Sequence, residues 1–118
     1  MNERVTKEVA IALKDIGYDV PCDAYYLKDD AIHIGRQEKK DFNNSVFHIS
    51  APTVYEAIEW LDSKGVYVEA KISLRYEWNY TIWVKHHGFE CTTCYTYPNR
   101  LAAYTAGLSI AIDYIKNK

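Results

Sequence analysis

Residues 66–95 read VYVEAKISLRYEWNYTIWVKHHGFECTTCY, and this stretch decides the fold. In residues 66–76, Val66, Val68, Ala70, Ile72 and Leu74 alternate with Tyr67, Glu69, Lys71, Ser73 and Arg75. A period of two puts successive side chains on opposite faces of a strand. Residues 78–86 repeat the pattern, with Trp78, Tyr80, Ile82 and Val84 on one side and Asn79, Thr81, Trp83 and Lys85 on the other. His87-Gly88 is a tight-turn signal. In residues 89–95, Phe89, Cys91, Thr93 and Tyr95 then oppose Glu90, Thr92 and Cys94. The spacing predicts a three-stranded antiparallel meander with one apolar face and one mixed face.

Helical patterns flank the meander. Residues 53–64 carry Val54, Ala57, Ile58 and Leu61 as a buried stripe with Trp60 at its edge, and Gly65 as a stop. Thr53 and Glu56 match the S/T-x-x-E capping box, and Pro52 bars helix from Ala51. Residues 99–116 form the closing helix, with Leu101, Leu108, Ile112 and Ile115 as its core stripe. Upstream, residues 3–16 read as an amphipathic helix with Val5, Val9, Ala12 and Ile16 inward, capped by Gly17. Residues 22–27 and 31–34 resemble two short strands joined by the polar turn Lys28-Asp29-Asp30. Residues 35–44 read as a loop and residues 46–49 as a short strand. The fold class is therefore α+β: an α-β-β-β-α core over residues 51–118, preceded by a helix and a short hairpin in residues 1–50, all as a single domain.

The 118 residues are 25% charged and 48% apolar, the balance of a globular chain rather than a disordered one. No apolar run approaches the roughly 20 residues a bilayer crossing needs, and the N-terminus lacks a signal-peptide apolar core, so the expected compartment is the cytoplasm with no membrane contact. The three cysteines, Cys22, Cys91 and Cys94, fit free thiols in such a compartment. Net charge is −2, divided as 7 basic and 9 acidic side chains in residues 1–50 and 7 of each in residues 51–118. Neither half supplies the positive field that drives phosphate-backbone binding, which makes nucleic acid an unfavoured partner.

Two surfaces stand out as candidates for binding. The mixed sheet face carries Tyr67, Lys71, Arg75, Trp83, Lys85 and His87, an aromatic and basic platform of the kind on which single strands stack. The competing expectation is that residues 1–50 cover this face and Trp83 is core. On the closing helix, Ala103, Ala106, Gly107, Ile110 and Tyr114 form a second apolar stripe on roughly the opposite side from the core stripe. A helix apolar on two faces is buried on two faces, and the small residues suit close approach of another helix, either in the same chain or in a second copy.

Catalytic chemistry finds no support in the motifs. His86-His87-Gly88-Phe89-Glu90-Cys91-Thr92-Thr93-Cys94 holds zinc-competent residue types, but Cys91 and Cys94 face opposite ways on a strand and no second C-x-x-C pairs with them. His33 and His48 stand alone in short strand-like segments. No nucleophile elbow, phosphate loop or H-E-x-x-H occurs. The expectation is a chain with no catalytic residue, no metal and no cofactor, working through a protein partner or through a second copy of itself. Nucleic-acid binding by the Tyr67/Trp83 face is the alternative, and a small-molecule enzyme a distant third.

Residues 53–118 resemble, in element order, double-stranded-RNA-binding domains and the related HicB-type antitoxin domains. Those RNA-binding domains carry a Lys-Lys-x-x-Ala-Lys type motif at the start of the last helix. Here that position reads Pro98-Asn99-Arg100-Leu101-Ala102-Ala103, with a single basic residue. A longer likeness runs through Gly-Tyr-Asp-x-Pro-Cys-Asp-x-Tyr-Tyr at residues 17–26 and Ala-Pro-Thr-x-x-x-Ala-x-x-Trp-Leu at 51–61. It ends in Tyr-Pro-x-x-x-Ala-Ala-x-x-Ala-Gly-Leu at 97–108. In these motifs the chain resembles small proteins of phages and prophages. The resemblance implies an accessory protein of a mobile element and carries no activity with it.

Overall fold

The computed structural model describes residues 3–27, 32–34, 39–84, 89–92 and 96–117, the 89–92 strand by its backbone alone. The fold is α+β, and the described residues form three α-helices and two antiparallel three-stranded sheets. The chain forms two compact units, Met1–Glu56 and Ala57–Lys118.

In the first unit, helix α1 spans Lys7–Asp15 and buries Val9, Ala10 and Leu13. It starts later than the predicted residue 3 because Thr6 takes the N-cap, its hydroxyl accepting from Val9 N–H at 3.3 Å. Residues 3–5 run extended instead: Val5 N–H donates to Pro52 O at 3.0 Å and Val54 N–H to Glu3 O at 2.8 Å. Gly17 ends the helix as predicted, at φ 92°. Gly17 N–H reaches Lys14 O and Tyr18 N–H reaches Leu13 O, the two bonds of a Schellman cap. Strands β1 (Ala24–Tyr26) and β2 (Ile32–Ile34) form the expected hairpin, and the turn predicted at residues 28–30 lies outside the described residues. Strand β3 (Ile49–Ser50) pairs with the other edge of β1.

The strand predicted at residues 46–49 is thus displaced. Ser45 Oγ accepts from Phe47 N–H at 3.2 Å and meets His48 Nδ1 at 2.9 Å, and this local turn bends the chain before it can extend. Val46 and Phe47 are left exposed. Within the predicted 35–44 loop, residues 35–38 lie outside the described set. Phe42–Asn44 form a 3₁₀ turn capped by Asp41, whose carboxylate accepts from Asn43 N–H at 3.0 Å. Cys22 is a buried free thiol whose backbone pairs with Lys40.

Helix α2 (Val54–Ser63) spans the division between the units. Its capping box is formed as predicted, Thr53 N–H donating to Glu56 Oε1 at 2.9 Å and Glu56 N–H to Thr53 Oγ1 at 3.1 Å. Val54, Ala57, Trp60 and Leu61 are buried. Beyond Gly65, at φ 91°, the second unit builds the meander of β4 (Val66–Ile72), β5 (Trp78–Val84) and β6 (Phe89–Thr92). The register sets Val66 opposite Val84, Val68 opposite Ile82 and Ala70 opposite Tyr80 on one face.

Helix α3 (Arg100–Lys116) packs on β4 and β5. Asn99 caps it by accepting from Ala102 N–H at 2.8 Å. The buried residues are Ala103, Gly107, Leu108, Ala111 and Ile112. A Cβ on Gly107 would lie 2.8 Å from Val68 Cγ1 and 3.1 Å from Tyr80 Cγ, so only glycine lets the helix approach the sheet this closely. The predicted core stripe is corrected at Leu101, which is exposed. Asn99 starts the helix so that the row Ala103, Gly107, Ala111 faces the strands, and that row leaves Leu101 outside.

Candidate interaction surface

The face of the meander opposite α3 is the mixed face. Cross-strand pairing puts Tyr67 directly opposite Trp83 and Glu69 opposite Thr81. Tyr67 is 37% exposed and Trp83 38%, so this aromatic pair is an open surface and not core. The expectation that Trp83 is buried core is therefore overturned. Lys71 Nζ stands 5.8 Å from the Trp83 ring centroid across the strand pair and 3.7 Å from Glu69 Oε1 on its own strand. The Tyr67 phenol is pushed above its ordinary pKa, first by partial burial, then by Tyr104, Glu69, Asp62 and Glu59. Tyr67 thus remains a neutral hydroxyl, able to donate, in a neighbourhood of three carboxylates.

Beyond this pair, β4 and β5 are joined by a tightly built turn. Ser73 N–H donates to Glu77 O at 2.8 Å and Tyr76 N–H to Ser73 O at 2.9 Å. Ser73 Oγ accepts from Arg75 N–H at 3.2 Å and Glu77 N–H at 3.3 Å. Tyr76 sits at φ 60°, the left-handed position that such three-residue hairpin loops normally give to glycine. The turn holds Leu74 100% exposed and Tyr76 86% exposed, with Ile72 half-exposed behind them.

Sequence reasoning missed this tip. Leu74 fits the inward alternation of a strand, and the stretch from Ser73 to Glu77 contains none of the Gly, Pro, Asn or Asp that mark turns. The available signal was length: eleven uninterrupted residues exceed the usual strand of about 5–6.

Of the predicted platform, Tyr67, Lys71 and Trp83 share the face, and Arg75 stands exposed in the turn. Lys85 and His87 lie outside the described residues, as do the side chains of the 86–94 run. On α3 the predicted second stripe is divided. Ala103 and Gly107 are buried within the chain on the sheet side, whereas Ala106 and Tyr114 are half-buried and Ile110 is exposed. The close approach that the small residues allow is thus made to the chain's own sheet. Among the described residues no group of three or more His, Cys, Asp or Glu stands close enough to hold a metal, and no helix is long and apolar enough to cross a membrane.

Comparison with protein-family models, with curated proteins and with solved structures found no match for the chain.

Proposed function

We propose that the chain works by protein–protein contact, with the β4–β5 tip as its anchor and a second copy of itself as the partner. The observation that carries this reading is the pre-formed turn that holds Leu74 and Tyr76 out in solvent. Exposed apolar side chains on a rigid loop lose little freedom on docking, and Tyr is among the residues that anchor interfaces. At a net charge of −2, copies repel each other only weakly. In a two-fold, face-to-face pair each tip would meet the Tyr67/Trp83 end of the other copy's hairpin. Under this reading the protein is a cytoplasmic, non-enzymatic accessory protein of a mobile element, as its phage-type motifs imply.

A single-stranded nucleic acid is the alternative occupant of the Tyr67/Trp83 face, favoured by the exposed ring pair. Electrostatics weigh against it. Lys71 is already engaged by Glu69, and Glu59, Asp62 and Glu69 surround Tyr67 with negative charge.

Sedimentation equilibrium at micromolar concentrations tests the proposal. A mass above the single-chain 13.7 kDa is expected, falling to one chain in Leu74→Asp. A chain that stays monomeric throughout, or a Leu74→Asp variant that associates as well as the parent, overturns it.

A further inference from the structure

The first unit holds an open cavity of about 530 Å³, within the range of pockets that take small ligands. Lys39, Lys40, Phe42, Asn44, Ser45 and His48 line it, with Pro21 and Asp41 completing the wall. Its walls are held in place from behind. Lys14 Nζ donates to Ser45 O at 2.7 Å and to His48 O at 2.8 Å, tying the 45–48 turn to α1. Asn43 Nδ2 donates to Tyr18 O at 3.0 Å, and Asn43 Oδ1 accepts from Ser50 N–H at 2.8 Å. Phe42 N–H donates to Ser50 Oγ at 3.0 Å. The Phe42 and His48 rings both rest on Tyr25, with centroids 4.6 and 4.9 Å from it, and His33 stacks beside Tyr25 at 5.3 Å.

The polar lining is rich in donors. Lys40 and Asn44 stand in the wall as exposed side chains. Ser45 Oγ accepts Phe47 N–H at 3.2 Å and meets His48 Nδ1 at 2.9 Å, which fixes the imidazole ring in the wall. Lys39 leans toward Glu56, at 3.9 Å, through a side chain that is mostly exposed. Among the described residues, Asp41 is the one carboxylate in the wall, and it is occupied as the cap of Asn43 N–H.

We propose that this cavity binds a small phosphate ester bearing a flat ring. Separate point donors, Lys40 and Asn44, suit the several oxygens of a phosphate, whereas the planar carboxylate is best served by the fork of an arginine. The Phe42 and His48 rings, 6.1 Å apart and tilted by 33°, supply an aromatic wall for the ring. The cavity belongs to the first unit, so this proposal stands independently of the hairpin tip.

Calorimetric titration of the full chain with AMP tests it, with inorganic phosphate and adenosine as the two half-probes. Saturable AMP binding is expected, with each half-probe weaker by about tenfold or more and Lys40→Ala weakening AMP by about tenfold. The Lys40 side chain is exposed, so that variant is expected to melt like the parent. Asn44→Ala serves as a second exposed variant, with the same direction of effect. NMR shift changes on adding AMP should fall on Phe42 and His48. Absence of AMP binding at millimolar concentration overturns the site. So does AMP binding unchanged in both variants. Adenosine binding as tightly as AMP overturns the anion contact, and phosphate binding as tightly as AMP overturns the ring contact.

Discussion

The two units solve the same problem by opposite means. The second unit is built on seven-residue strands whose ladder supplies its own hydrogen bonds, with α3 laid on an apolar face through Gly107. The first unit has strands of two and three residues and is cross-linked by side chains onto backbone. Arg4 reaches Ala51 O, Lys14 reaches two carbonyls, Tyr26 Oη donates to Val5 O, and Asn43 bridges Tyr18 and Ser50. Short strands satisfy few backbone groups, and buried groups left over must be met by side chains. Both units bury an apolar core, but one satisfies its backbone through its own ladder and the other through side chains. Each presents a different surface: an apolar hairpin tip in one, a donor-lined cavity in the other.

Removing a polar clamp should therefore damage the first unit most. Lys14→Met deletes two charge-assisted bonds and strands two carbonyls, at an expected loss of about 2 kcal/mol. Hydrogen exchange should show lost protection around residues 45–50 while the β4 and β5 amides keep theirs. Equal loss in both sheets would erase the contrast between the units. A smaller effect is expected from the packing side. Gly107→Ala forces a methyl against Val68 and Tyr80, costing about 1–3 kcal/mol, and regains about 1 kcal/mol of helix propensity. Urea denaturation should show a net loss of about 1 kcal/mol. A stabilised variant would mean that α3 is free to shift off the sheet.

Much of the fold was legible in particular residues. The alternation through Val66, Val68, Tyr80, Ile82 and Val84 predicted the meander and its buried face, and Thr53/Glu56 and Gly17 predicted two helix boundaries. Period-two and capping patterns are local, so a sequence displays them. The start of α1 was misread because a hydrophobic stripe continues through Val5, while Thr6 hydroxyl chemistry sets the boundary. The hairpin tip was hidden because Tyr76 adopts a glycine conformation without being glycine. The cavity of the first unit was not visible at all. His33 and His48 looked isolated because Tyr25, which gathers them and Phe42, acts across strand pairing and a turn. Of the proposed surface, Tyr67 and Trp83 were legible as outward positions, but their pairing depended on register, which the turn at Ser73–Tyr76 fixes.

The most direct measurement is a paired one on Tyr76→Gly. Tyr76 pays for its left-handed backbone, so glycine there should stabilise the chain by about 1 kcal/mol. The same change removes an anchor of the proposed interface. Urea denaturation and sedimentation equilibrium on this variant should show a more stable chain that has lost self-association and sediments at 13.7 kDa. A stabilised variant that still associates like the parent would contradict the assignment of the β4–β5 tip as the docking element.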